Sequence, residues 1–309
     1  MTFSQKRFTL TRSPGSRRMM STLKFCSCPK PCCRLSLERN AVVDNHCGVH
    51  SSCNLPQSTF VRTGAGGKFM PDRRNHRGAH PQDRLLFARD AEPDLRRATS
   101  DLNWLLTRGY ASVSALKLVG DRYALNARQR LAVGRCACSE EDANRRQMHQ
   151  VETPDLAGAE LWIDGYNVLT SLEAALSGGV ILLAHDGCFR DMASMHGSYR
   201  KVAETIPAIE ILGELLAEWN VSSCRWLLDQ PVSNSGRLKT MLRELSEERG
   251  WNWEIDLVPD PDPVLSAADQ IVASADSQIL NQAGRWFNLA RTAVEERVPE
   301  AWVVDLSGC

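Results

Sequence analysis

Apolar and polar positions divide the 309-residue chain into three regions. Residues 1–80 are rich in Arg, Ser, Gly, Cys and Pro and show neither helical nor strand periodicity, which is typical of a disordered segment. Residues 81–150 carry apolar positions at helical spacing, and residues 158–309 alternate short apolar runs with amphipathic stretches. The pattern predicts a disordered basic segment at 1–80, a small helical domain at 81–150 and an α/β domain at 158–309.

Helical spacing is clearest between residues 102 and 135. Leu102, Leu105 and Leu106 recur at intervals of three and four residues, and Gly109 is placed to end their helix. A second helix is expected at 112–123. A third is expected to begin at Asn126, with Gln129 three positions later forming a capping box. These helices predict a compact unit of three or four helices.

Apolar runs after residue 158 have the length of buried strands. Strands are predicted at residues 161–163, 179–184, 224–228, 253–258, 271–275 and 301–306. Helical spacing between them predicts helices at 202–219, 236–249 and 279–290. Such alternation predicts one mostly parallel sheet with helices on both faces.

The run LWIDGYNVL at residues 161–169 places a carboxylate where the first strand must end. Asp164 either caps the following helix, because Asp is a favoured N-cap residue, or serves a site at the carboxyl edge of the sheet. Parallel strands bring their carboxyl ends to one edge. Asp229 and Asp276, after two other strands, are therefore expected beside Asp164 as catalytic carboxylates, and Asp186 is a further candidate.

Carboxylates that share one edge repel each other unless a cation lies between them. Their hard oxygen ligands suit Mg²⁺ or Mn²⁺, which can polarise a phosphodiester bond and lower the pKa of water. Asp269, on a short helix before the fifth strand, either reaches this edge as a metal ligand or caps a helix.

Three small polar residues are candidates for substrate binding. Asn167 either orients a phosphate or a water molecule, or stabilises the turn after the first strand. Ser233 and Ser235 lie in the run QPVSNSG at the start of a predicted helix, where free N–H groups favour an anion. Ser235 as a simple N-cap is the alternative.

The formal net charge of zero conceals a division within the chain. Residues 1–80 contain 14 Lys and Arg against 3 Asp and Glu, and residues 81–309 contain 23 against 34, so the parts carry +11 and −11. An acidic folded part argues against a broad phosphate-binding face, so contact with nucleic acid is expected to be local or metal-mediated. Basic residues of the helical region, among them Arg122 and Arg130, either bind RNA or are simply solvated.

The chain shows neither a secretory signal nor a membrane-spanning run. Its first residues lack a continuous apolar core, and no stretch approaches about eighteen apolar residues. Its 11 cysteines are therefore expected to be reduced in the cytoplasm. Six cysteines and four histidines of residues 1–80 do not follow paired zinc spacing. Translation beginning at Met70 and a transit peptide are alternative explanations of this segment.

Several segments resemble known families. IDGYNVL resembles the first-strand motif of the NYN branch of the PIN-like nucleases, and AADQIVASADSQIL (267–280) resembles their later acidic segment. Residues 83–140 resemble domain-of-unknown-function family 434. The part from residue 161, with LLDQPVSNSG, resembles its companion family 5616.

The resemblance implies a three-layer α/β/α PIN-like fold and a phosphodiesterase that depends on Mg²⁺ or Mn²⁺. Asp164 matches the first-strand acid, and Asp269 and Asp276 match the later pair. The acid that these nucleases often place on a central helix has three candidates, which are Glu204, Glu210 and Glu214.

Two functions therefore remain open. One is a metal-dependent nuclease that acts on RNA, and the other is a non-catalytic module that binds RNA or a protein. A phosphatase with an aspartyl nucleophile would need a second Asp where the chain has Tyr166. A nucleotide cofactor is not expected, because no Gly-x-Gly-x-x-Gly motif follows a predicted strand.

Overall fold

The structure, a computed structural model, describes residues 76–192 and 199–308. The predicted disordered segment lies outside the described residues apart from residues 76–80. Its six cysteines, with His46 and His50, lie outside them as well.

Helices occupy the region between residues 83 and 149, as the apolar spacing predicts. They are α1 (Asp83–Leu86), α2 (Glu92–Thr107), α3 (Ser112–Arg122), α4 (Ala127–Cys136) and α5 (Glu140–His149). The predicted capping box is present: the Asn126 side chain accepts from the N–H of Gln129, and the Gln129 side chain accepts from the N–H of Asn126. Gly109 follows α2 with a φ of 77°, a left-handed conformation that favours glycine.

Strands and helices alternate after a 3-10 turn at Thr153–Leu156. The strands are β1 (Glu160–Asp164), β2 (Val180–Leu183), β3 (Phe189–Asp191), β4 (Ser223–Asp229), β5 (Trp253–Val258), β6 (Ile271–Ala273), β7 (Trp286–Phe287) and β8 (Trp302–Asp305). The helices are α6 (Gly165–Leu176), α7 (Thr205–Glu218), α8 (Ser235–Arg249), α9 (Pro261–Ser266), α10 (Ser277–Leu280) and α11 (Leu289–Arg297). The α/β class predicted from the sequence is confirmed.

A five-stranded parallel sheet, in the order β5-β4-β1-β6-β7, forms the centre of the α/β part. From β1 the chain moves outward to β4 and β5, and it then crosses back to β6 on the other side of β1. The strand order therefore reverses between β1 and β6. Ligands of open α/β sheets bind in the crevice at such a reversal, beyond the carboxyl ends of the strands.

Both faces of this sheet are covered by helices. Successive side chains of a strand point to opposite faces, so each central strand contributes to a core on each side. Leu161 and Ile163 belong to a core shared with α6, α7, α8 and α11. Val272 and Trp286 belong to a second core shared with α9 and α10. The arrangement gives three layers, and it accounts for the nearly continuous apolar character of the central strands.

The prediction of a single sheet is wrong, because β2 lies in a separate three-stranded sheet of order β3-β2-β8. β2 pairs in parallel with β8 and antiparallel with β3. Val180 and Leu182 of β2 pack against the helical region, in a core with Leu95, Leu102 and Val119. Alternation of strands and helices does not reveal which strands become neighbours, since that choice depends on long-range packing.

The predicted helix at 279–290 is also wrong. The segment contains the end of α10, the short strand β7 and the start of α11. Trp286 and Phe287 are buried on opposite faces of the sheet, so their apolar character reflects strand burial. Among the described residues, no helix is both long enough and apolar enough to cross a membrane.

Candidate functional site

Asp164 ends β1 at the point where the strand order reverses, and it is only 7% exposed. The residue occupies the N-cap position of α6, but its side chain makes no capping hydrogen bond. Its Oδ2 instead accepts a hydrogen bond of 2.7 Å from Ser274 Oγ, just beyond β6. The carboxylate is therefore directed across the crevice towards the β6 edge.

The pKa of Asp164 is raised to about 7, mainly by burial and in addition by the negative charges of Asp276 and Asp262. The Ser274 hydrogen bond opposes this rise, and the nearby N–H of Asn167, whose geometry falls short of a capping hydrogen bond, opposes it more weakly. A carboxylate in this position is costly to ionise, and a cation near it would lower that cost.

Asp276 lies beside Asp164 because both follow neighbouring parallel strands. Its N–H donates to Ser274 Oγ at 3.0 Å, so one serine connects Asp164 to the backbone of Asp276. Its Oδ1 accepts from the N–H of Gln278 at 2.7 Å and caps α10. Asp276 is thus both a helix cap and a neighbour of Asp164.

Asp262 in the first turn of α9 is an acidic member of the site that the sequence analysis missed. Burial raises its pKa, and the charges of Asp276, Asp260 and Asp229 raise it further. The sequence contains a pattern that indicates Asp262. The predicted strand at 253–258 is followed by the acidic run PDPDP, and an acid just past a parallel strand end is the same pattern that identified Asp164.

A cavity of about 460 Å³ lies at this edge of the sheet. Its lining includes the acids Asp164, Asp262 and Asp276 and the arginines Arg135 and Arg190. Its remaining lining residues are Gly134, Tyr166, Asn167, Thr170, Ser171, Asp191, Ala275 and Ser277. The volume is within the usual range for small-ligand sites, roughly 300 to 1,000 Å³.

Asn167 and Tyr166, which line the cavity from α6, differ in their hydrogen bonding. The Asn167 Oδ1 accepts from the N–H of Ala275 at 2.8 Å, so this side chain fixes the turn between β6 and α10. The buried hydroxyl of Tyr166 has no hydrogen-bond partner in the part of the chain that the structure describes. Burial and the charge of Asp229 raise the pKa of Tyr166 to about 12, so the hydroxyl keeps its proton.

Asp229 ends β4, the strand next to β1, but it does not line the cavity. Burial raises its pKa, and the charge of Asp260 adds to this effect. The negative charge of Asp229 raises the pKa of Asp262, which does line the cavity. The predicted cluster therefore extends along the edge of the sheet, with Asp229 outside the cavity.

Ser233 and Ser235, at the start of α8, do not line the cavity. The carbonyl of Ser233 accepts from the N–H of Tyr199, and the buried Ser235 Oγ donates to the carbonyl of Gln230 at 3.3 Å. The N-cap of α8 is Asn234, in a left-handed conformation, so Ser235 is not the cap. The structure therefore gives both serines contacts within the protein.

Asp269 does not join the other acids. It is exposed in the bend before β6, whereas Asp276 follows the strand. Because Ile271 pairs with Leu161 at the start of β1, Asp269 lies near the amino edge of the sheet. The structure also places none of Glu204, Glu210 and Glu214 among the cavity-lining residues.

Asp186 is not a member of the acidic cluster, because it follows β2 in the separate sheet. Its side chain is fully buried between Arg146 and Arg190. Burial would raise its pKa, but the charges and hydrogen bonds of the two arginines hold it well below its usual range. Asp186 therefore neutralises buried arginines.

The basic residues of the helical region are largely paired with acids. Arg122 lies 3.5 Å from Asp101, and Arg130 lies 2.8 Å from Asp121. Further ion pairs join Arg96 to Glu92 and Asp305, Arg97 to Asp94, Lys117 to Asp121, and Arg128 to Asp83. Such pairing reduces the positive field available to a phosphate backbone.

Two family models match the chain next to each other. The first, DUF434, is described as a protein of unknown function and matches residues 94–148. The second, DUF5616, is described as a domain of unknown function and matches residues 153–292. An uncharacterised protein of Methanocaldococcus jannaschii is 32% identical over 186 residues, which cover 60% of this chain and 88% of that protein.

The chain belongs to the family that joins DUF434 to DUF5616. No solved structure matches it. The resemblance to these two families is confirmed. The cavity takes residues from both matched regions: Gly134 and Arg135 from DUF434, and Asp164, Asp262 and Asp276 from DUF5616.

Proposed function

We propose that this DUF434–DUF5616 protein is a metal-dependent phosphodiesterase that cleaves RNA. The observation that carries the proposal is the buried Asp164 at the strand-order reversal, with a pKa raised by burial and by two neighbouring carboxylates. A buried carboxylate with a purely structural role usually has a cationic partner or several hydrogen-bond donors. Asp164 accepts a hydrogen bond from the Ser274 hydroxyl and is only weakly influenced by the N–H of Asn167, which favours a role in ligand binding.

The donor set suits Mg²⁺ or Mn²⁺. Among the described residues no group of three or more His, Cys, Asp or Glu side chains is arranged to hold a metal. Mg²⁺ commonly uses one or two carboxylates and takes its other ligands from water and substrate phosphates. Asp164 and Asp276 would supply the carboxylates, with Asp262 close enough to influence both. The ion would polarise the phosphodiester and lower the pKa of a bound water.

The protein itself fixes the positions of these groups. Ser274 orients Asp164, and Asn167 holds the backbone next to Asp276. The assignment of RNA as substrate rests on the resemblance of IDGYNVL to the NYN branch of the PIN-like nucleases. Four buried free cysteines, Cys136, Cys138, Cys188 and Cys224, support our proposal of a reducing cytoplasmic location.

A non-catalytic binding module is the second candidate. The absence of a three-ligand metal group among the residues that the structure covers favours it. The ion pairs of Arg122 and Arg130 argue against the helical surface as its RNA-binding face.

The proposed activity predicts Mn²⁺-dependent cleavage of labelled single-stranded RNA. Asp164→Asn and Asp276→Asn should each lower the rate by at least about a hundredfold, because each removes an anionic oxygen ligand from the site. Asp269→Asn is the matched control and should keep the wild-type rate, since Asp269 is exposed near the opposite edge. Equal rates in the wild type and Asp164→Asn would overturn the proposal, as would a wild-type rate that EDTA leaves unchanged.

A further inference from the structure

A second cavity, of about 560 Å³, lies along the first turns of α2. The described residues that line it include three arginines, Arg89, Arg96 and Arg97, and one acid, Glu92. Glu92 accepts a hydrogen bond of 2.8 Å from Arg96, which also donates to Asp305 at 3.0 Å. The charge of the one acid is therefore matched by Arg96, and the lining keeps a positive charge from the other two arginines.

Arg89 and Arg97 are the guanidinium groups that the fold leaves available to a ligand. The exposed Arg89 side chain makes neither an ion pair nor a hydrogen bond within the part of the chain that the structure describes. Arg97 contacts Asp94, but the two side chains are 65% and 57% exposed. An exposed ion pair of this kind is weak, so a phosphate can take the place of Asp94. The cavity thus has both the room and the charge for an anion.

Trp104 lies one helical turn beyond Ser100, which lines this cavity, on the outward face of α2. The residue is 53% exposed, and the Arg108 guanidinium lies 3.6 Å from the centre of one of its rings. Arg108 also donates to the carbonyl of Trp104 at 3.3 Å, and none of its contacts with described residues is with a carboxylate. The indole is therefore held at the surface beside a cation whose charge is not neutralised.

An exposed indole between cationic groups favours a single-stranded nucleic acid as its partner. Each base has a flat face that can stack on an aromatic ring, and each phosphate can accept hydrogen bonds from a guanidinium. Arg97 lies two turns before Trp104 on α2, and Arg108 lies one turn after it. Because four residues of helix rise by about 6 Å, one short strand can reach both the ring and the cavity.

We propose that the outward face of α2 binds single-stranded RNA, with a base stacked on Trp104 and a phosphate between Arg89 and Arg97. The inference rests on the proposed function for the identity of the nucleic acid. This face differs from the surfaces of α3 and α4, where Arg122 and Arg130 are paired with acids. The helical region then captures RNA at a surface separate from the cavity that contains Asp164.

The test is the affinity of the full chain for a short, fluorescein-labelled single-stranded RNA, measured by fluorescence anisotropy in EDTA, which prevents metal-dependent cleavage. Trp104→Ala should weaken binding at least about fivefold, the lower end of the loss for one stacked base. Arg89→Gln should weaken binding and reduce the slope of log affinity against log salt by about 0.7, the contribution of one phosphate contact on a single strand. Arg243→Gln, on α8, is the control. Its side chain is 57% exposed, and its affinity should stay within about twofold of the wild type.

Two further variants separate a lost contact from a folding defect. Trp104→Phe keeps an aromatic ring and should bind more tightly than Trp104→Ala. Asp94→Asn should bind about twofold more tightly than the wild type, because it removes the acid that competes for Arg97, and misfolding would not raise affinity. Wild-type affinity in both Trp104→Ala and Arg89→Gln would overturn the inference, as would an equal loss in Arg243→Gln or no RNA binding by the wild type.

Mn²⁺-dependent cleavage of the same RNA distinguishes this surface from the proposed active site. RNA binding that depends on Trp104, without cleavage by the wild type, would remove the proposed activity and leave the α2 surface standing. Cleavage by the wild type, with unchanged RNA affinity in Trp104→Ala and Arg89→Gln, would keep the activity and remove the α2 surface.

Discussion

Asp164→Asn should make the protein more stable at about pH 8, by about 2 to 4 kcal/mol in the free energy of unfolding, when no metal is present. The wild-type side chain is a buried carboxylate whose pKa is raised to about 7. Asparagine has nearly the same shape, carries no charge, and its carbonyl oxygen can accept the Ser274 hydrogen bond. The substitution therefore removes the cost of a buried charge while keeping the packing of the site.

The dependence on pH follows from the direction of this pKa change. An ordinary aspartate titrates at 3.8, and Asp164 titrates at about 7 in the folded chain. Between these values the folded chain holds a proton that the unfolded chain has lost, so wild-type stability falls as pH rises through this range. The advantage of Asp164→Asn should be near zero below the lower value and greatest above about pH 7.

Urea unfolding at about pH 4 and about pH 8 measures this effect. Asp269→Asn is the control and should follow the wild type at both pH values, because Asp269 is exposed. A loss of stability in Asp164→Asn at both pH values would contradict the account and would make Asp164 a structural helix cap.

Asp186→Ala should lower the free energy of unfolding by about 3 to 5 kcal/mol. Asp186 lies fully buried between Arg146 and Arg190, whose side chains are 2% and 10% exposed. Removing the shared carboxylate leaves two buried guanidinium groups without their counter-ion. The damage should also reach the candidate site, because Arg190 donates to the carbonyl of Ala275 next to Asp276.

Asp94→Ala provides the comparison for this second prediction. It removes the acid from an ion pair with Arg97 whose side chains are 57% and 65% exposed, so the expected loss is below about 1 kcal/mol. Urea unfolding of both variants gives the two values. Similar small losses in Asp94→Ala and Asp186→Ala would show that the buried cluster is not needed for stability.

The sequence was sufficient to place Asp164 and Asp276 at one edge, because both follow recognisable apolar strands and parallel strands share an edge. The position of Asp186 could not be predicted in the same way, because the local pattern does not show that β2 pairs with β8 outside the main sheet. Asp262 could have been found by extending the strand-end argument to the segment after β5.

The presence of Arg135 in the cavity lining could not have been predicted from strand ends. Its place in the cavity lining depends on how the helical region packs, a contact between residues far apart in the chain. Spacing along α4 predicts which side of the helix is buried, and it carries no information about which part of the sheet that helix meets. The positions of Ser233 and Ser235 depend similarly on the chain after β4, where Asn234, in a left-handed conformation, occupies the N-cap position of α8.

The proposed function depends on Asp164 and Asp276 holding one divalent ion at the carboxyl edge of the sheet. The decisive measurement is a calorimetric titration of Mn²⁺ into the full chain near neutral pH. The wild type and Asp269→Asn should each bind one ion, and Asp164→Asn should show no measurable binding. Negligible heat from the wild type, or equal binding by the wild type and Asp164→Asn, would rule out this metal site.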